Sequence, residues 1–361
     1  MQIDLLPREK STAGLNLLIL LGSLLTGLLA VSVIFAINGV NPAVAIFAIF
    51  KGSFGSWYGI KETITKAIPL ILIGSGLAVA FKAKFWNIGA ESQLLVGAIF
   101  ATWMGLTVGP HLPAVLLVPL MFVSAFIGGA LWGMVPAVLK VRFGINEVIS
   151  TLMLNYIAAE FVKYLVVGPW KGKTKGGYPY TDDLPAQAIL KHLHYTRISP
   201  ILLVLAVIAA LILGWMVYRS RFGYEIRVIG ENTHAARYAG INFFRTSVLL
   251  MAVSGGMAGL AGAGELMSIH HYLSYPETLS AGYGFTAIIV AWLARLNPAF
   301  TIVSGLFFAG IIVGGDAIQI SMGMPAATVN VFNGMILIFL IMGDFFISHR
   351  VRIRFGSTVH A

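Results

Sequence analysis

Cysteine is absent from all 361 residues, which excludes disulfides, thiolate nucleophiles and cysteine-ligated metals at once. Charge is nearly as scarce: Asp, Glu, Lys and Arg make up 11% of the chain. A soluble domain carries about a quarter. Catalytic signatures are missing as well. There is no HExxH for a zincin and no G-x-S-x-G elbow. "GGD" at 314–316 lacks the first glycine of the intramembrane aspartyl protease pattern, and no second catalytic aspartate accompanies it. "GPWKGKT" at 168–174 fails as a phosphate loop, because Gly168 lies one residue too close to Gly172 and no strand precedes it. Chemistry on a bond is therefore poorly supported.

What fills the space is apolar. Hydrophobic residues make up 58% of the chain, which points to a polytopic all-α membrane protein rather than the two soluble domains its length would allow. The net charge of +10 is spread between oily runs. That pattern fits an anionic lipid surface and the positive-inside rule better than nucleic acid. The first run, 15–37, is too long for a signal-peptide core and reads as a retained span. Nine more follow at 63–81, 88–108, 112–135, 147–167, 199–218, 244–265, 282–294, 299–319 and 328–347, giving about ten transmembrane helices. The eighth is irregular: "SYPETLSAGYGF" before it predicts a broken or re-entrant segment across 266–285.

Arginine sets the expected orientation. With ten spans and a cytoplasmic N-terminus, Arg8, Arg142, Arg219, Arg221, Arg227, Arg237, Arg245, Arg295, Arg350, Arg352 and Arg354 fall inside, and Arg197 outside. Lys171, Lys173, Lys175 and Lys191 fall in the longest external loop, where the rule is weak. The chain then reads as a single transmembrane domain over 1–361. It has a cytoplasmic N-terminus (1–14), an external loop (168–198), a cytoplasmic loop (219–242) and a cytoplasmic tail (349–361).

Ionisable and amide groups inside spans are costly, at about 2.5–3.5 kcal/mol for a charge at the centre, and so carry information. Asn87 and Glu91 lie four apart on one helix face, with Gln93 beside them. Asn87 fits an N-cap and Glu91 the positive end of a helix dipole; both equally fit a polar face turned to a shared cavity. Asn146 and Glu147 open the next polar span in the same two-sided way, and Asn155 sits at mid-depth, where an amide needs partners. Glu160 and Lys163 are spaced to pair. Glu265 and Asp316 lie near outer span ends, and the adjacent His270 and His271 suit a loop or interface better than a metal site. Trp57, Tyr58, Trp170, Trp215, Tyr218 and Trp292 fit an interfacial belt. "GGMAGLAGAG" (255–264) places Gly255, Gly259 and Ala263 on one face for close helix packing.

"FKAKFWNIGAESQLLVGA", "GINEVISTLMLNYIA", "GYEIRVIGENTHAARYAGIN" and "GYGFTAIIVAWLARLNP" occur in that order. Together they resemble the signature segments of bacterial ABC importer permeases for nucleosides and simple sugars. That superfamily also includes ribose and branched-chain amino-acid permeases, and the strings are most similar to the nucleoside branch. The long segment before residue 60 resembles the longer of that branch's two paired permeases.

The resemblance implies a multi-pass protein of the bacterial cytoplasmic (inner) membrane that is not itself an enzyme. It implies a second homologous permease, a cytoplasmic ABC ATPase with two nucleotide-binding halves, and an extracytoplasmic substrate-binding lipoprotein. No cofactor is expected on this chain; ATP and Mg belong to the ATPase. Tyr178, Tyr180, Asp182 and Asp183 in the external loop are candidate contacts for the binding protein, a merely solvated loop being the alternative.

Such a machine needs a short cytoplasmic helix seated on the ATPase, and 231–239 suits it. Asn232 or Thr233 caps it, Ala235 and Ala236 favour helix, and Gly240 ends it. Arg237 and Tyr238 would touch the ATPase, and Glu231 would steady the preceding turn. The expected substrate pathway is lined by Asn87, Glu91, Gln93, Asn146, Glu147 and Asn155. A ribose or monosaccharide permease is the nearest alternative, an ion-coupled secondary transporter a more distant one, and a polytopic membrane enzyme another.

Overall fold

The computed structural model describes residues 2–7, 13–174 and 176–354. Residue 1, residues 8–12 with Arg8, Lys175 and the end of the tail from 355 lie outside them. In chain order the helices are α1 (Ala13–Ile37), α2 (Pro42–Phe54), α3 (Trp57–Lys82), α4 (Ala90–Thr107), α5 (Ala114–Phe143), α6 (Glu147–Val167) and α7 (Pro200–Arg219). These are followed by α8 (Arg221–Glu231), α9 (Thr233–Tyr238), α10 (Phe243–Glu265), α11 (Pro276–Ser280), α12 (Tyr283–Leu293), α13 (Thr301–Met322) and α14 (Ala326–Ser348). Two short strands, β1 (Gln2–Pro7) and β2 (His349–Arg354), pair antiparallel and bring the two ends of the chain together.

The chain divides into two compact units, Met1–Ile60 with Gly310–Ala361, and Lys61–Ala309. In the first, α1 packs on α14, with Phe35 stacked on Phe332 at 6.0 Å between ring centres. Asn41 caps α2 through Ala43 N, with Pro42 at the position where a missing N–H costs nothing. Ser53, buried near the end of α2, donates to the Gly310 carbonyl at 2.5 Å.

The second unit is built around α4, α5 and α10. Apolar side chains gain little from meeting each other rather than lipid, so helices associate by close packing of small residues. A Cβ on Gly259 of α10 would lie 2.2 Å from the Ala125 carbonyl oxygen of α5, and one on Gly262 2.1 Å from that of Leu94 in α4. The close-packing face expected at 255–264 is therefore real, with Gly262 as its contact to α4.

Among the described residues, six helices are long and apolar enough to cross a membrane: α3, α5, α6, α7, α10 continued to His270, and α13 with its preceding turn. Leu21–Ile37 and Pro42–Phe54, bent by 116°, make a seventh if they form one broken span. The expected ten are not reached, for identifiable reasons. α12 has 11 residues, well short of the ~20 that cross a bilayer unaided. α4 opens on Glu91, Ser92 and Gln93, which dilute its hydropathy over only 18 residues. The expected helix at 328–347 is present as α14, with part of its side chains outside the described residues.

The break expected across 266–285 is present. α10 runs into a π-helical turn (Leu266–His270), and His271 takes φ 64°, Ala281 46° and Gly282 73°. Leu273 and Ser274 are wholly buried, so protein rather than lipid surrounds this irregular backbone.

Candidate functional site

The turn joining α3 to α4 is not helical, and its backbone groups need partners. Asn87, fully buried, supplies one of them, to Gly89 N, and ties the turn to neighbouring side chains. Its Oδ1 accepts from Gly89 N at 3.0 Å and Gln93 Nε2 at 3.1 Å; its Nδ2 donates to Gln93 Oε1 at 2.9 Å and Ser254 Oγ of α10 at 3.0 Å. Asn155 of α6 does the same from the other side. Its Nδ2 donates to the Ile88 carbonyl at 3.0 Å, and its Oδ1 accepts from Ser92 N at 3.1 Å. Thr151 Oγ1 accepts from Ile88 N at 3.3 Å. Three amides and two hydroxyls thus tie the 87–93 segment to α6 and α10.

The other three expected pathway residues sit apart from this knot. Glu91 points at the start of α12, where its Oε2 accepts from Gly284 N at 2.8 Å. Asn146 is exposed and caps α6 through Val148 N at 2.8 Å. Glu147 pairs with Lys140 of α5 at 2.5 Å, and that ammonium lies 4.4 Å from the Phe85 ring centre. Beside the same turn, Trp86 stacks on Trp292 at 5.5 Å, with Phe81 against both. Trp292 is thus part of an aromatic cluster that its place near a span boundary does not reveal.

At one face of this unit the 168–198 segment is strapped down. Thr181 N donates to the Leu273 carbonyl at 3.1 Å, Leu184 N to that of His271 at 2.8 Å, and Leu190 N to that of Met267 at 3.0 Å. His192 meets Ser268 Oγ at 2.9 Å, and Arg197 pairs with Glu62 at 3.4 Å. Tyr178, Tyr180 and Tyr272 stack in series. The Asp182 carboxylate accepts from Thr174 Oγ1 at 2.6 Å and Thr174 N at 3.1 Å, and these bonds hold it below the usual carboxylate range. Lys163 bridges Glu160 at 2.9 Å and Glu277 at 3.5 Å, so the expected pair has a third member.

α7 crosses to the opposite face, where 219–242 folds as two helices. Asn232 caps α9, its Oδ1 accepting from His234 N at 2.9 Å and Ala235 N at 3.1 Å. Gly240 turns the chain out at φ 74°. Ala236 is buried, whereas Glu231, Ala235, Arg237 and Tyr238 are exposed, Tyr238 at 94%. The amphipathic α8 before it was not anticipated. Ser220 caps it through Gly223 N, and the Arg227 guanidinium donates back to the Val217 carbonyl. Gly230 sits so close to the end of α3 that an added Cβ would lie 2.0 Å from the Lys82 carbonyl oxygen. A stiff contact therefore runs from the α8–α9 pair into the turn that holds Asn87.

From residue 59 to 341 the chain matches the family described as the permease component of the branched-chain amino acid transport system. It is 34% identical to a glucose ABC transporter permease protein of Haloferax volcanii, over 98% of this chain and 94% of that one. It is 33% identical to a guanosine ABC transporter permease protein of Bacillus subtilis, over 90% and 93%. It is 30% identical to a nucleoside ABC transporter permease protein of Lactococcus lactis, over 90% of each. Both of the latter organisms hold a second, more distant relative with a similar description. With a family match over most of its length and relatives at 30–34% identity along nine-tenths of it, this multi-pass membrane protein belongs to the branched-chain amino acid transport system permease family.

Proposed function

We propose that this chain is the permease subunit of an ATP-driven importer that takes up nucleosides by alternating access. In this reading α8 and α9 face the cytoplasm, the strap at 168–198 faces outward, and both chain ends are cytoplasmic. ATP and Mg are used on a separate ATPase with two nucleotide-binding halves. A second, non-identical permease completes the pore, an extracytoplasmic lipoprotein delivers substrate, and the assembly sits in a bacterial inner membrane. The arginines at 219–245 support that orientation. The paired relatives in single organisms support a two-permease pore.

The observation that carries the reading is α9. A capped six-residue helix with one buried side chain and an outward Ala235, Arg237 and Tyr238 is built to be held by something else. Motion of α9 would pass through Gly230 and Lys82 to the 83–93 turn, and from there through Asn155 and Ser254 to α6 and α10. Asn87, Glu91, Gln93, Asn146, Glu147 and Asn155 are the proposed polar groups along the pathway, weak enough in number to release what they bind.

Uptake of labelled guanosine and glucose into proteoliposomes holding the permease pair, ATPase and binding protein tests this. Guanosine uptake that stops without ATP and ignores an uncoupler is expected. ATP-dependent glucose uptake with no guanosine uptake transfers the conclusion to the monosaccharide reading, which the 34% identical glucose relative favours. Uptake that collapses with an uncoupler alone refutes both in favour of ion coupling.

A further inference from the structure

Between α9 and the helices behind it lies a cavity of about 290 Å³. Its walls come from the 83–85 turn, the end of α5, the α8–α9 junction and the first turns of α10. Four of its features belong together. Ser247 is 1% exposed and is among the residues that line the cavity, and its buried hydroxyl has no hydrogen-bond partner among the described residues. A buried hydroxyl left unpaired is costly, and such groups in native proteins have an explanation. Lys84, exposed and at φ 55° just past the end of α3, lines the same cavity and has no ion pair among the described residues. Lys140 borders it too, and Phe85 and Phe243 supply apolar wall. Glu231 is the acidic member of the lining and is exposed; Lys140 is already paired with Glu147, which leaves Lys84 as the lining lysine with no ion pair among the described residues.

We infer that this cavity is a binding site for a phosphate-bearing small molecule, gripped by Lys84, Lys140 and the Ser247 hydroxyl. The volume exceeds what a bare phosphate fills and lies at the lower edge of small-molecule pockets, the size of a phosphate attached to one sugar ring. The phosphate oxygens accept from both ammonium groups and from Ser247, and the ring lies against Phe85 and Phe243. Lys140 then exchanges part of its bond to Glu147 for the ligand. An occupant ties α10 and the 83–85 turn to Thr233, the first residue of α9. With α9 read as the ATPase contact, occupancy from the cytoplasm slows transport; that consequence rests on the proposed function, whereas binding does not. The phosphate of an anionic lipid shares this chemistry and is the second source to separate.

The experiment measures ribose 5-phosphate binding to the purified permease pair in nanodiscs of phosphatidylcholine, and again with phosphatidylglycerol added. Saturable binding in phosphatidylcholine, weakened about tenfold by Lys84→Ala or Ser247→Ala and kept by Lys84→Arg, is expected. Thermal midpoints of the variants confirm that they fold. Retention of phosphatidylglycerol that depends on Lys84 and blocks ribose 5-phosphate supports the site and assigns it to lipid. No saturable binding in either disc, or binding indifferent to both alanine variants, overturns it. If ribose 5-phosphate binds as expected but ATP-driven uptake ignores it, the site stands and the coupling role of α9 falls.

Discussion

Replacing Asn87 by Leu separates a brace from a pore lining. The substitution keeps side-chain bulk and removes four hydrogen bonds, two with Gln93 and one each with Gly89 N and Ser254. At about 1 kcal/mol net per bond in a folded protein, the loss comes to about 4 kcal/mol. Side-chain bonds in membrane bundles average about 0.6 kcal/mol, which lowers it to about 2.4. Expected destabilisation is therefore about 2–4 kcal/mol, read as the shift in unfolding free energy in mixed micelles. Gln93→Leu removes the two bonds shared with Asn87, so the double variant is expected to be less damaged than the sum by about 1–2 kcal/mol. Additivity within about 0.5 kcal/mol would refute the claim that the two amides act as one unit. Uptake normalised to folded protein gives the complementary result. Unchanged stability with lost uptake would make Asn87 a substrate contact and remove it from the brace.

Gly259→Leu is expected to prevent stable packing of α10 on α5, because its Cβ alone would meet the Ala125 carbonyl oxygen at 2.2 Å; loss of monodisperse protein on size exclusion checks this, with Gly22→Ala, which meets nothing within 4 Å, as control. Arg237→Glu and Tyr238→Ala should change stability by no more than about 0.5 kcal/mol, both side chains being exposed, while ATPase activity continues without uptake; normal uptake by both would refute the coupling role of α9. Glu91→Gln should keep the bond from Gly284 N and much of the uptake, whereas Glu91→Ala should lose the tie to α12; equal uptake by the two variants would show the tie to be idle. The Asp182 pKa is depressed by its bonds from Thr174, so its contribution to the strap is present above the unfolded carboxylate value and lost as pH falls through the lower folded one. NMR titration of Asp182 should show that depressed value, and Thr174→Val should move it back up.

How much of this was legible in the sequence depends on where each stabilising partner sits. α9 was readable because its determinants are local: Asn232 caps two residues that follow it directly, and Gly240 supplies the left-handed turn. α6 was readable for the same reason, with Asn146 as its cap. α8 was not. "RFGYEIRVIGE" contains two glycines, which disfavour helix, and what holds it is Arg227 reaching back to α7 and Gly230 seated on the end of α3. Nor was the fastening of the 168–198 segment. Its ties to 267–273 include three backbone N–H groups donating to backbone carbonyls, a pattern that leaves no mark on residue type, so the segment resembled a solvated Lys/Gly loop. Among the described residues six helices, or seven with the pair bent by 116° before Pro42, are long and apolar enough to cross, and the 11-residue α12 shows where a hydropathy run overstates the length of a helix.

The polar residues show the limit most clearly. Asn87, Gln93 and Asn155 stood out because amides are expensive in a span, and cost alone does not distinguish a group that waits for substrate from one already satisfied by protein. In the structure every amide oxygen and nitrogen of Asn87 and Asn155 has a protein partner, and several of those partners are backbone groups of the α3–α4 turn itself. Their hydrogen-bonding capacity is then largely spent in this conformation. A substrate can use it only if the turn moves and frees Ile88 and Ser92 from Asn155. The same groups would serve as brace in one state and as lining in another, and the stiff contact from Gly230 to Lys82 is the element able to drive that exchange. A conformation with Asn155 released and α9 displaced is the state that the proposed alternating access would require. Cross-linking α8 to the end of α3 preserves this contact and should therefore leave uptake intact, and uptake lost on cross-linking would show that the two must part, breaking the proposed path of force.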